Sequence, residues 1–280
     1  MVFINYLLRF IEEDAPFGDI TSAAVIPDIS CTAIIRAEQS GVIAGLKEAS
    51  QLFSHFDVSV KPLQKDGDTV RENVALLLLN GDAKKILLVE RTALNIIGRM
   101  SGIATRTKKM ADSITAVNPS CRIAATRKTC PGFRVLDKKA VMIGGGDPHR
   151  MNLSDGILIK DNHLALVPLA TAIRAAKKVS AYTKIEVEVE TPDDALTASR
   201  AGADIIMLDN MEPDRISQTI SLLEREGLRD DVIIEISGGI DEEGLQSYAA
   251  LGVDVISLGV LTHSVRNLSV NLEIIPNNHS

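Results

Sequence analysis

The sequence predicts an α/β protein in which a small α+β region precedes an α/β barrel. Three observations carry this expectation. Beyond residue 120, short apolar runs alternate with helical stretches at the spacing of parallel strands. Almost every such run ends in a small polar or reactive group, as in a barrel whose active face lies at the C-terminal ends of its strands. The first hundred residues have another rhythm, with short strands, a helix and Gly/Asp turns leading into a long helix. At 280 residues the chain can bury one barrel or two domains.

Taken in order, Met1 to Arg9 reads as an amphipathic helix rather than a signal peptide. It lacks a basic leading region, and Glu12, Glu13 and Asp14 follow at once. Cys31–Ala37 and Val74–Leu79 read as strands with Leu46–His55 as a helix between them. Gly41 and Asp66-Gly67-Asp68 mark turns. The latter is similar to the turn of lipoyl carriers but lacks their modifiable lysine, so its expected role is structural. From Ala83 to Val117, Ile86, Leu87, Val89, Ala93, Leu94, Ile97 and Met100 keep helical spacing, with a break expected near Ser101-Gly102. Strands are then expected at Arg122–Ala125, Gly156–Ile159, Ile185–Val189, Ile205–Leu208, Val232–Ile236 and Val255–Leu258. Helices between them are expected at Phe133–Met142, Val167–Val179, Pro192–Ala201, Pro213–Arg225 and Glu242–Leu251, with Thr191 as an N-cap.

The strand ends carry Thr126-Arg127-Lys128, Lys160, Glu188 with Glu190, Asp209-Asn210, Ser237-Gly238-Gly239 and Gly259. A doubly wound sheet would gather such groups mainly at one switch point, so their spread favours a barrel. The last two Gly turns look like a phosphate pocket lined by backbone N–H groups.

Charge locates the chemistry. The chain is acidic overall, at −7, yet residues 126–163 hold seven Lys or Arg, two of five histidines and Gly144-Gly145-Gly146. A basic cluster inside an acidic protein indicates a small, multiply anionic ligand rather than a polyanion. Arginines suit carboxylates and bidentate phosphate contacts, while lysines act as mobile point charges. Tryptophan is absent and aromatics are 3%, which leaves little for base stacking and argues against nucleic acid. No apolar run reaches the ~18 residues of a membrane span. Cys31, Cys121 and Cys130 lack C-x-x-C spacing, which fits a reduced cytoplasm and offers no thiolate metal site. Cys130 sits in the basic cluster, but no base adjoins it in sequence.

These residues carry a family resemblance. Glu13-Asp14 with Gly18-Asp19-Ile20-Thr21-Ser22, ERTALNIIGRMSGIAT from Glu90, TRKTCPGFR from Thr126 and GGGDPHR from Gly144 begin the series. LIKDNH from Leu158, EVEVE from Glu186, MLDN from Met207, SGGI from Ser237 and SLGVLTHS from Ser257 complete it, in order, over residues 13–264. The chain resembles the quinolinate phosphoribosyltransferases, or carboxylating nicotinate-nucleotide pyrophosphorylases. The resemblance implies an N-terminal α/β sandwich domain with the bridging helix (1–105) and an incomplete, roughly seven-stranded TIM-like α/β barrel (106–265). A C-terminal segment (266–280) would return to the first domain; its terminal position separately predicts disorder for Pro276 to Ser280. It also implies transfer of phosphoribose from phosphoribosyl pyrophosphate to quinolinate with loss of CO₂, in a cytoplasmic homodimer or hexamer that uses Mg²⁺.

By the same resemblance, Arg127, His149 and Arg150 grip the quinolinate carboxylates, joined by Arg91 from a neighbouring subunit. Lys128 and Lys160 face the pyrophosphate. Glu188 and Asp209 face Mg²⁺ and the ribose hydroxyls, and Ser237, Gly238, Gly239 and Gly259 hold the 5′-phosphate. No residue announces itself as a general base. Periodicity alone leaves Glu186, Glu188 and Glu190 equivalent, since all three share one strand face. Gly144–Gly146 reads equally as a flexible turn or a phosphate contact, His163 as a structural hydrogen-bonder, and His263 as either. Ala125, Cys130 and Asp147-Pro148 depart from the family pattern beside the gripping residues. The rival readings are a paralogue with another aromatic acceptor and a non-catalytic sensor of a phosphorylated metabolite. The latter would not require the metal-facing acids.

Overall fold

The computed structural model describes residues 3–240 and 242–275, so Pro276 to Ser280 lie outside the described residues. In chain order its elements are α1 (Ile4–Asp14), α2 (Ile20–Val25), β1 (Ser30–Ala37), β2 (Gly41–Val42), α3 (Leu46–His55) and β3 (Ser59–Pro62). Next come β4 (Thr69–Val70), β5 (Ala75–Asp82), α4 (Ala83–Thr115), β6 (Arg122–Ala124), α5 (Arg134–Ile143) and β7 (Ile157–Ile159). Then follow α6 (Asp161–Leu164), α7 (Leu169–Ala176), β8 (Ile185–Val189), α8 (Pro192–Ala201), β9 (Ile205–Asp209) and α9 (Pro213–Arg225). The last are β10 (Ile233–Ser237), α10 (Leu245–Ala249), β11 (Val255–Ser257), α11 (Val260–His263) and β12 (Val270–Ile275).

Packing divides the chain into two compact units. The first holds residues 1–108, 130–145 and 264–280; the second holds 109–129 and 146–263. The segment 130–145, which carries α5, therefore packs within the first unit, although sequence order places it between barrel strands.

In the first unit an antiparallel sheet runs β12-β1-β5-β3, and β2 pairs with β4. β1 buries Ala33, Ile35 and Ala37, and β12 closes its outer edge from Thr32↔Ile275 to Ala37↔Val270. An unpaired β1 edge would invite aggregation, so the late-arriving β12 finishes this sheet. The helix α4 runs unbroken past Ser101-Gly102, contrary to the expected break. Ser101 Oγ accepts Ala44 N–H at 2.9 Å and donates to Ala44 O at 3.1 Å. Gly102 is small because the chain at Arg266 passes against the helix: a Cβ there would lie 2.1 Å from Arg266 O. Both residues serve close approach, which overrides their weak helix propensity. Gly144 does the same, since its Cβ would meet Ala104 O at 2.5 Å. It ends α5, and Gly145 follows at φ +87°. The turn at Asp66-Gly67-Asp68 is structural: Asp66 Oδ1 accepts Leu46 N–H at 2.9 Å and Oδ2 lies 3.3 Å from Lys139 Nζ. Asp137, fully buried on α5, is held by a fork of Arg99 at 2.8 and 2.9 Å.

The second unit is built on a parallel sheet ordered β6-β11-β10-β9-β8-β7. The last barrel strand, β11, pairs with the first, β6, from Val255↔Arg122 to Ser257↔Ala124. Pairing of first with last is the strand order of a barrel that stays open between β6 and β7; a doubly wound sheet would place its first strand inside the sheet. Asp147 adds a seventh rung beside β6, with Ala125 N–H donating to Asp147 O at 2.8 Å and Asp147 N–H to Ile123 O at 2.7 Å. This is an incomplete barrel of six strands and one bridge. Ile206, Leu208, Val187, Ile234 and Ile236 are buried, while the alternate positions begin with Ile205 and Ile233 and then carry Glu, Met, Asp and Ser toward the C-terminal ends. Period-two alternation thus assigns polar groups to a single side of each strand. Thr191 caps α8 as expected, accepting Asp194 N–H at 3.1 Å.

Candidate active site

Strand register builds the site. Ser237 on β10 pairs with Asp209 on β9, and Met207 lies between Glu235 and Glu188. On each strand the residues two apart share a face. Glu188, Asp209 and Ser237 line a cavity of about 590 Å³, whereas Glu186 and Glu235 are buried and both reach His149. Arg127, Lys128, His149, Arg150 and Lys160 line the same cavity, as do Gly238 and Gly239. Ten of the twelve expected site residues thus converge at the C-terminal ends of the barrel strands.

Of the other two, Gly259 flanks the wall. A Cβ on it would come 2.9 Å from Lys128 Cδ and 3.0 Å from His263 Cδ2, so a side chain there would have to push both of them aside. Arg91 is exposed on α4 in the first unit. His163 is structural: its Nδ1 accepts Lys160 N–H at 2.9 Å and its own N–H donates to Lys160 O at 2.8 Å. Gly144–Gly146 do not line the cavity; close packing against α4 and the end of α5 account for Gly144 and Gly145.

The cations and acids are interlocked. Lys160 Nζ is ion-paired with Glu188 Oε1. Burial and the neighbouring charge of Arg127 both press the Arg150 pKa below its ordinary value. Two guanidiniums held this way are relieved by an anion between them. The buried Nε of Arg127 has no hydrogen-bond partner among the described residues, so it too is a donor available to a ligand.

Sequence reasoning placed Asn210 at a strand end but gave it no role. Its backbone is left-handed (φ +51°), its N–H donates to Ser237 O at 2.9 Å, and its Nδ2 donates to Asp209 Oδ2 at 2.9 Å. Its Oδ1 would lie 2.2 Å from a Cβ on Gly238, whose own φ is +89°. The pair of residues therefore locks the β9 end to the Ser237-Gly238-Gly239 turn, and Asn tolerance of the left-handed region was the available signal.

At the cavity wall, His149 Nε2 lies 3.3 Å from Glu186 Oε2 and 3.5 Å from Glu235 Oε1. Both glutamates are buried, at 5% and 2% exposure. Burial works to lower the His149 pKa, but the two carboxylates outweigh it and raise it to about 10. That value calls for protons on both ring nitrogens, whereas Nδ1 accepts Arg150 N–H at 2.7 Å. The contact decides, because an Nδ1 proton would meet the Arg150 hydrogen head-on. The ring is therefore read as the Nε2–H tautomer, and burial, followed by the charge of Glu235, raises the Glu186 pKa against the lowering effect of His149.

For a divalent cation the described residues offer two places. His149, Glu186 and Glu235 put ligand atoms within 4.8 Å of one another. Metal at Nε2 would need the proton on Nδ1, which the Arg150 N–H forbids. Glu188 and Asp209 are the better fit. One oxygen of each is engaged, by Lys160 and Asn210, and the cavity leaves room for ligand oxygens beside the other. Mg²⁺ characteristically takes one or two carboxylates and completes its shell with substrate phosphates and water.

The comparisons with known proteins agree with this architecture. The profile for the quinolinate phosphoribosyl transferase N-terminal domain matches residues 19–101, and that for the C-terminal domain matches residues 103–273. The chain belongs to the quinolinate phosphoribosyltransferase family. A probable carboxylating nicotinate-nucleotide pyrophosphorylase of Methanothermobacter thermautotrophicus is 46% identical over 274 residues, spanning 97% of this chain and 98% of the relative. One from Bacillus subtilis is 39% identical, spanning 98% and 94%. The nicotinate-nucleotide pyrophosphorylase structure from Francisella tularensis superposes with a TM-score of 0.90 at 34% identity, with 98% of each chain covered. These likenesses span both units, as the family's two-domain order requires.

Proposed function

We propose that this cavity joins quinolinate to phosphoribosyl pyrophosphate, releasing pyrophosphate and CO₂ to leave nicotinate mononucleotide, a step of NAD biosynthesis. The observation that carries it is the convergence of Arg127, Arg150, Lys128 and Lys160 with Glu188 and Asp209 in one cavity at the strand ends. Quinolinate is a dianion and its partner carries a phosphate and a pyrophosphate, so the two substrates together match this charge set. Arg127 and Arg150 grip the ring carboxylates, with Arg91 of a neighbouring subunit as the third cation. Ser237, Gly238, Gly239 and Gly259 cradle the 5′-phosphate with backbone N–H groups.

Holding the ring nitrogen against C1 of the ribose makes the bimolecular step effectively unimolecular. As the C1–oxygen bond of the pyrophosphate breaks, positive charge grows on the ribose and negative charge on the leaving group. Glu188 and Asp209 lie on the ribose side, and Lys128 and Lys160 meet the departing oxygens. Mg²⁺ held by Glu188 and Asp209 would neutralise pyrophosphate charge without proton transfer. The electron pair left by departing CO₂ is stabilised by the cationic ring nitrogen and the arginines, and a solvent proton completes the product. No side chain is assigned as general base. No described helix is long and apolar enough to cross a membrane, and a cytoplasmic homo-oligomer is our reading of the setting.

The test follows nicotinate mononucleotide and CO₂ together from quinolinate, phosphoribosyl pyrophosphate and Mg²⁺. Equal amounts of both, abolished by a chelator, are expected. Turnover only with an acceptor other than quinolinate would refute the assignment while keeping the phosphate site.

A further inference from the structure

The triad of His149 at the cavity wall and the buried Glu186 and Glu235 behind it has a role the reaction scheme leaves open. We propose that His149, held by Glu186 and Glu235, is a positioning residue that fixes the backbone turn from which Arg150 reaches the substrate, and does not itself grip a quinolinate carboxylate. The inference rests on the quinolinate reading above.

The ring has no N–H to offer. Nε2 faces two carboxylates at 3.3 and 3.5 Å, and Nδ1 accepts the Arg150 N–H at 2.7 Å. A substrate carboxylate reaching Nε2 would be the third carboxylate there, and at Nδ1 it would meet a lone pair. Both approaches are repulsive, and in a buried setting repulsion is weakly screened.

The turn, by contrast, is over-determined. His149 adopts φ +53°, a conformation that costs a non-glycine residue on the order of 1 kcal/mol or more. Asp147 is docked on β6 through its backbone, its Oδ1 accepts His149 N–H at 3.1 Å, and its Oδ2 lies 3.1 Å from Arg122. The imidazole then binds the next N–H, that of Arg150. Glu186 and Glu235 come from β8 and β10 with β9 between them, so the barrel itself clamps the ring. Burying two carboxylates is costly: among the described residues Glu186 Oε1 has no hydrogen-bond partner and Glu235 Oε1 has only the 3.5 Å ion contact with His149, so anchoring this ring is the task the geometry gives them. Both residues of the turn line the cavity, but the ring nitrogens of His149 are turned to protein partners, which leaves the guanidinium of Arg150 as the cation this turn presents there.

A double-mutant cycle reads the coupling. Steady-state constants for both substrates are measured for wild type, Glu235→Gln, Arg150→Lys and the double variant. Glu235→Gln touches no substrate, yet it should raise KM for quinolinate about tenfold, the usual scale for loosening a support residue, and leave KM for phosphoribosyl pyrophosphate unchanged. In the Arg150→Lys background the same substitution should add less than about twofold. An undiminished effect in that background, or no effect in wild type, would overturn the proposal. A wild type that does not turn over quinolinate defeats the functional reading instead. Should the variants fold poorly, ¹⁵N-histidine spectra of the wild type with and without quinolinate decide. Nδ1 of His149 should remain unprotonated with ligand bound, and a ligand-bound ring protonated at both nitrogens contradicts the proposal.

Discussion

Lys160 reaches the cavity already paired with Glu188, whose side chain is only 13% exposed. An ammonium has three donors on a flexible stem, so it can keep that contact and still meet a pyrophosphate oxygen. Lys160→Ala removes the donor and leaves the Glu188 charge facing the leaving group. Turnover should fall about 10²–10³-fold, the scale of one lost transition-state donor, while quinolinate affinity stays within a few-fold. Single-turnover rates beside calorimetric binding would check it; an unchanged rate would remove Lys160 from the chemistry. Thiol chemistry separates the cysteines in the same local terms. Burial pushes Cys121 up to about 11, aided by Asp254, and burial also raises Cys31, whereas Cys130 is exposed. A disulfide reagent at pH 8 should therefore titrate one thiol in the native protein and three after denaturation. More than one fast-reacting native thiol would contradict that burial.

At the scale of elements, α4 shows how packing overrides propensity. Ala at position 102 would gain about 1 kcal/mol of helix propensity over Gly. Its Cβ, however, would stand 2.1 Å from a backbone oxygen at Arg266, and backbone cannot swing aside as a side chain can. Overpacking of this kind costs about 1–3 kcal/mol or more, so Gly102→Ala should lower the denaturation midpoint. A raised midpoint, the outcome propensity predicts, would show that the segment at Arg266 yields. Periodicity showed α4, α8, α9 and β8 within a residue or two, because three- and two-fold repeats are local signals. It read Ser101-Gly102 as a break for the same reason: nothing nearby in sequence reports a segment 164 residues away that comes to rest on the helix.

For the whole molecule, the shared-site proposal makes a mixing prediction. Arg91→Ala and Lys160→Ala are each expected to be nearly inactive. After mixing under conditions that allow subunit exchange, statistical heterodimers should restore about a quarter of the sites, because one site in each carries both intact residues. No recovery, with exchange verified by mass, would mean that Arg91 does not act across subunits.

The sequence by itself determined the order of elements, the barrel class, the family and most of the cavity wall. Those features are written in local periodicity and in motifs that directly follow apolar runs. Glu188 could not be told from Glu186 in that way, because residues two apart on a strand share a face. Tertiary packing separates them: Glu188 lines the cavity, while Glu186 is buried against His149, as Glu235 is. Tertiary structure alone also decided that β12 completes the first sheet, that α5 packs with the first unit, and that both ring nitrogens of His149 are engaged within the protein. Each rests on contacts between residues far apart in the chain, whose energies depend on distance and burial rather than on any pattern along the sequence.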